Sequence, residues 1–237
     1  MEQQPKQAQR IQTSFINGVE RKALIWLAER QPRWVTSDML TLVGTFGALL
    51  VGAGFVLTHY AIGWLWLSVA GLCVNWYGDS LDGTLARVRN RQRPLYGYYL
   101  DHTIDCVNEA LMFVGAGLSP LMHLDLALAL FILYLFLTIN VSINAHLKSE
   151  FRLTYAKLGP TEFRIIVAVM CILIISFPSW VTFGRPVTLV GHTVSLTSLD
   201  LLTLILVAAL SLIYVCTIIG DARKYAKADP PKRDSGN

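Results

Sequence analysis

Asp79-Ser80-Leu81-Asp82-Gly83-Thr84-Leu85-Ala86-Arg87, nine further residues, and then Gly97-Tyr98-Tyr99-Leu100-Asp101-His102-Thr103-Ile104-Asp105 form the stretch that decides the fold. Its four aspartates lie inside or at the ends of segments otherwise apolar enough to cross a membrane. A carboxylate at membrane depth is costly and requires a compensating cation or a wet cavity. Asp79 and Asp82 are three residues apart, and Asp101 and Asp105 four. Each pair therefore shares a helix face, about 4.5–6 Å apart along the axis. Gly83 and Ala86 share the face of the first pair and Gly97 that of the second, so small residues leave room for a second helix or a ligand. The linker 88–96 is basic and contains Pro94, and it can turn one span into the next as a helical hairpin. Four carboxylates then converge at one end. They repel unless neutralised, and two divalent cations would balance them. All-oxygen ligation suits Mg2+, Mn2+ or Ca2+ rather than zinc. A pair of such ions serves phosphoryl chemistry, and Arg87, one turn beyond the first aspartates, is placed to meet phosphate oxygens.

The rest of the chain frames this stretch as a membrane protein. Of its 237 residues, 54% are apolar and only 15% charged. A spanning helix needs about 20 mostly apolar residues. Six stretches qualify, near 38–59, 61–80, 100–118, 121–146, 160–182 and 199–220. The expected fold is an all-α integral membrane protein with six transmembrane helices and an N-terminal amphipathic interfacial helix. Residues 1–13 read as a disordered N-terminus and 14–31 as the interfacial helix. Residues 32–221 form the six-helix domain, and 222–237 a flexible tail. On the interfacial helix the apolar stripe is Phe15, Ile16, Val19, Ala23, Trp26 and Leu27. Thr36-Ser37-Asp38 reads as the N-cap cluster of the first span.

Basic residues cluster before the first span, between the second and third, around the loop between the fourth and fifth, and after the sixth. Arg185 alone falls on the other side. Both termini and the aspartates are thus expected to be cytoplasmic, in a bacterial inner membrane. The net charge of +4 suits contact with anionic head groups and needs no nucleic acid to explain it. Cys73, Cys106, Cys171 and Cys216 lack metal-ligand spacing and read as buried, reduced packing residues. The first 30 residues, polar and mixed in charge, do not read as a cleavable signal peptide. Gly44, Gly47, Gly52, Gly54, Gly63 and Gly71 favour close helix packing, and glycine-rich outer faces would permit a homodimer. The loop at 183–198 is expected to be an external turn.

The motif as a whole resembles the signature of the CDP-alcohol phosphotransferases, with a loop one residue longer than is common. The resemblance covers most of the chain. It implies attack by an alcohol acceptor on the β-phosphorus of a CDP-linked donor, CDP-diacylglycerol or a CDP-amino alcohol, with release of CMP. It further implies that Asp79, Asp82, Asp101 and Asp105 hold two divalent cations, Mg2+ or Mn2+, and that Asp105 is a base for the acceptor hydroxyl. Gly83 and Ala86, with Asp79 and Asp82, would line the CDP site, and Arg87 would contact the diphosphate. His102, directly after Asp101, and Glu162 in Gly159-Pro160-Thr161-Glu162 are similar to the choline/ethanolamine phosphotransferase branch. There the pair would form a base dyad. Branches with phosphorylated acceptors suggest instead that Arg152, Lys157 and Arg164 bind the acceptor's phosphate; positive-inside topology explains the same residues.

Glu109 continues the stripe of Asp101 and Asp105 and is a candidate to support the metal shell. Asn140 and Asn144 either face the site or bond across helices. A second function class, an ion- or proton-coupled transporter, would also use intramembrane aspartates. It predicts acidic residues near mid-membrane and related halves, whereas these aspartates cluster at one end beside arginines.

Overall fold

Thr36 opens the bundle. Its hydroxyl accepts from the Met39 N–H at 3.2 Å, capping a helix that runs Ser37–Val56. The computed structural model describes residues 9–11, 17–148, 150–152, 160–180, 185–189 and 192–231. They contain seven α-helices: α1 (Asn17–Glu29), α2 (Ser37–Val56), α3 (Leu65–Val88), α4 (Pro94–Gly117), α5 (Leu124–Lys148), α6 (Pro160–Ser176) and α7 (Ser198–Ala228).

α2 is the hub, packed along α3 and more loosely along α4. Glycine makes the α2–α3 approach close. A Cβ on Gly47, Gly54, Gly71 or Gly78 would collide with the backbone of the facing helix, and one on Gly52 would strike α4. Gly115 of α4 is equally close to Gly52. Two buried polar residues of α3 cross the seam: Ser68 donates to Val51 O at 2.8 Å, and Asn75 donates to Gly44 O at 2.9 Å. Gly63 meets nothing, so it takes no part in packing. Gly44, Gly47, Gly52, Gly54 and Gly71 thus pack inside the chain and give no support to the homodimer that glycine-rich outer faces would permit.

Between α3 and α4 the turn closes at Asn90, whose φ of 54° places it in the left-handed region. The Arg91 N–H returns to Ala86 O at 2.9 Å, a helix stop for which Asn is well suited. Pro94 then begins α4, where its missing N–H is harmless.

α1 packs on α3 by a face one position round from the expected stripe. Leu24 and Ala28 are buried with Val35, Leu40, Leu81 and Leu85, while Ala23 and Trp26 face outward. Polar bonds explain the rotation. The Trp76 indole and the Thr161 hydroxyl both donate to Glu20 Oε1 at 2.7 Å, tying α1 to α3 and α6. Arg89 completes the anchor by donating to the Gln31, Pro32 and Val35 carbonyls beyond the end of α1.

At the opposite end of the bundle, Asp200 is fully buried in a capping box with Thr197. Its carboxylate also accepts from the His123 backbone N–H at 2.8 Å and lies 2.6 Å from His123 Nδ1, joining α5 to α7. A core of Val51, Phe55, Leu65, Leu72, Leu121, Cys171, Ile174 and Leu199 lies at this end.

Among the described residues, three helical segments are long and apolar enough by themselves to cross a membrane: Ser37–His59, Leu124–Asn144 and Ser198–Ala228. The most apolar window of the last is only 6% buried, so its side chains face outward nearly all round. α3 and α4, each 24 residues, would reach about 36 Å, but their polar residues lower their hydropathy.

The described residues are not wholly helical. Gln9–Ile11 (β1) pairs in parallel with Glu150–Arg152 (β2). The expected turn at 183–198 contains an antiparallel hairpin, Arg185–Leu189 (β3) with His192–Leu196 (β4). Its β-branched residues, among them Val187, Thr188, Thr193 and Val194, favour strand. α7 continues through residues 222–228, which the sequence suggested as tail. Of the cysteines only Cys171 is buried; Cys73, Cys106 and Cys216 lie on outward faces, and all four are free thiols.

Candidate active site

Asp79 stands on α3, and Asp101 and Asp105 on successive turns of α4. One carboxylate oxygen from each lies within 4.8 Å of the others. The hairpin closed by Asn90 and Pro94 produces this convergence, which takes in three of the four aspartates that the spacing suggested. Three hard oxygen donors so close together fit a divalent cation of the Mg2+ or Mn2+ kind. Next to them, Glu109 Oε2 is buried with no hydrogen-bond partner among the described residues, as a donor held ready for a cation would be. Glu109 interacts electrostatically with Asp79, and Asp105 with Glu109.

Asp82 is close enough to interact with Asp79 and Asp101 but stands outside the trio. Its carboxylate accepts from the Thr41 hydroxyl of α2 at 2.7 Å and from the Gly83 N–H. Ser37 donates to the Asp82 carbonyl at 2.9 Å, so α2 fixes both ends of this residue. Gly83 and Ala86 follow on the same helix. A Cβ on Gly83 would meet only Arg87 Nη1, at 3.5 Å, so the face beside it is open. Arg87 donates to Thr84 Oγ1 at 2.9 Å, which directs the guanidinium back along α3.

The other suggested residues stand on different elements. His102 Nδ1 lies 2.9 Å from Tyr98 O. A carbonyl only accepts, so this nitrogen carries the proton and a neutral ring keeps its lone pair on Nε2. The His102 ring also lies against that of Tyr98, with centroids 4.1 Å apart. Glu162 is in the first turn of α6. Arg152 belongs to β2, where only its backbone is described, and Lys157 lies outside the described residues.

Arg164 is the surprise. Expected as an acceptor ligand, it is engaged with the aspartates, its Nη2 lying 2.5 Å from Asp79 Oδ2. Its Nε donates to Asn75 Oδ1 at 2.9 Å. Asn75 and Thr41 were missed in the sequence. Asn75 had one signal, a polar residue one turn before Asp79 in an apolar span. Asn144 bonds across helices: its amide donates to Asp221 at 2.8 Å and accepts from the Tyr225 hydroxyl at 2.8 Å, both on α7.

A family model described as CDP-alcohol phosphatidyltransferase matches residues 34–212. The chain belongs to that family. It is accordingly a multi-pass integral membrane protein of a transferase family in phospholipid biosynthesis. The phosphatidylinositol phosphate synthase of Cutibacterium acnes (strain DSM 16379 / KPA171202) is 37% identical to the chain over 84 residues. The matched segment is 35% of this chain and spans 38% of the length of that relative. These similarities support the family as a whole, not the choline/ethanolamine branch that His102 and Glu162 suggested.

Proposed function

We propose that the protein transfers a substituted phosphate group from a CDP-linked lipid donor to an alcohol acceptor at the membrane surface, releasing CMP. The observation that carries this is the convergence of the Asp79, Asp101 and Asp105 carboxylates on the α3–α4 hairpin. These residues, with Asp82 and with Glu109 in support, would hold two divalent cations, which when bound draw charge from the phosphates and favour both bond formation and bond cleavage. Gly83 and Ala86 leave space for the cytidine, and Arg87 donates to the diphosphate. The acceptor hydroxyl gives its proton to Asp105 as its oxygen forms a bond to the β-phosphorus. The bond from that phosphorus to the bridging oxygen breaks, and CMP departs with the electron pair.

Asp105 is the base in this proposal because it lies within the trio. The Nδ1 of His102 is already engaged by the Tyr98 carbonyl, so the dyad with Glu162 has no support from that nitrogen. CDP-diacylglycerol is the favoured donor and a phosphorylated alcohol the favoured acceptor. The named activity of the relative and the basic residues Arg152 and Lys157 support that choice. Six helices, α2 to α7, span the membrane. The clustering of arginine and lysine supports a topology with the aspartates and both termini on the cytoplasmic side.

The test supplies labelled CDP-diacylglycerol or CDP-ethanolamine with a panel of free and phosphorylated alcohols and measures CMP. Asp101→Asn abolishes release from every pair that the wild type uses; retention of full activity contradicts the mechanism. Loss of a general base costs about 10²–10⁴-fold in rate. Asp105→Asn shows at least that loss and His102→Ala does not; the reverse pattern moves the base to His102.

A further inference from the structure

Arg164 reaches the trio from a different helix and is held there by a relay of buried groups. Asn75, 1% exposed, is one turn before Asp79 on α3. Its amide nitrogen is fixed on Gly44 O of α2 at 2.9 Å, and its amide oxygen accepts from Arg164 Nε at 2.9 Å. The guanidinium then has one direction left for Nη2, onto Asp79 Oδ2 at 2.5 Å. The side chains of Arg164 and Asp79 are 15% and 21% exposed, so little water screens the pair. Arg164 also interacts electrostatically with Asp105 and Glu109. One fixed positive charge thus acts on three carboxylates in or beside the candidate metal centre.

We propose that Arg164 is a positioning residue that sets the divalent-cation affinity of the aspartate centre. It occupies one oxygen of Asp79 and opposes an incoming cation by like charge. The inference rests on the metal reading of Asp79, Asp101 and Asp105 and deepens it. A guanidinium and a divalent cation compete for the same carboxylate, and at short range and reduced dielectric the repulsion is large. Arginine therefore keeps the ions exchangeable rather than permanently bound. The role differs from binding an acceptor phosphate, which would leave cation affinity in the protein alone untouched. It also differs from merely orienting Asp79, in which case losing the arginine would weaken cation binding.

The experiment measures Mn2+ binding to the purified full chain by electron paramagnetic resonance, with no nucleotide or lipid substrate and with Mg2+ as competitor. Arg164→Gln tightens Mn2+ about tenfold or more. Arg164→Lys, which keeps the charge but not the planar fork, tightens Mn2+ less than Arg164→Gln does. Unchanged or weakened Mn2+ binding in the glutamine variant overturns the proposal, as does equal tightening in the lysine variant. Arg164→Met repeats the neutral comparison if the glutamine variant does not fold. Wild-type protein that binds no Mn2+, or whose binding survives Asp101→Asn, overturns the metal reading itself. Binding that Asp101→Asn removes but Arg164→Gln leaves unchanged overturns the role of Arg164 alone.

Discussion

Among single residues, the aspartates were legible because their spacing and their cost in an apolar segment both appear in the sequence. Their supporting partners were not. Thr41 and Asp82 are 41 positions apart, and Asn75 and Arg164 are 89 apart. No local periodicity links such pairs; only the packing of α2, α3 and α6 brings them together. Thr41 matters because it donates to a carboxylate, and hydrogen bonds to charged groups are worth about 1.5–3 kcal/mol. Thr41→Val is therefore expected to lower kcat/KM by about ten- to a hundred-fold, while Thr41→Ser, which keeps the hydroxyl, restores most of it. Steady-state CMP release checks both. Equal activity in the valine variant would mean that Asp82 needs no support from α2.

Among elements, helix positions followed from hydropathy, and the α3–α4 hairpin followed from Pro94 and the basic linker. The face by which α1 packs did not, because Glu20 is a partly buried acceptor that a simple polar-versus-apolar reading assigns to solvent. Strand pairing at 185–196 was hidden in a segment rich in turn-forming residues. Apart from Gly63, the glycines named in the first two spans were read correctly as packing residues, but which helices they join needed the structure. Gly47 abuts the Asn75 backbone, so this contact sets the height of Asn75 and Asp79 against α2. Gly47→Val forces the helices apart, with overpacking typically costing about 1–3 kcal/mol. Its expected result is a lowered thermal midpoint and lost CMP release. Gly63→Ala, which meets nothing, leaves both unchanged. A Gly47→Val protein as stable and active as the wild type would contradict the role given to the α2–α3 seam.

For the whole molecule, the bundle separates two tasks. One end is tied by Asp200, His123 and Thr197 and by an apolar core. The other gathers Asp79, Asp101, Asp105, Glu109 and Arg164, with Asp82 beside them. Clustering of the candidate metal-ligating carboxylates at one end suits chemistry at a head group better than passage of an ion across the bilayer. The most direct measurement of that claim follows CMP production and cation flux together in vesicles containing the purified protein, CDP-diacylglycerol and an alcohol acceptor, as Mg2+ or Mn2+ is added and then chelated. The expected result is CMP formed in step with phospholipid product, only while the divalent cation is present, and no cation flux. Cation flux without CMP, or CMP release indifferent to chelation, would contradict it.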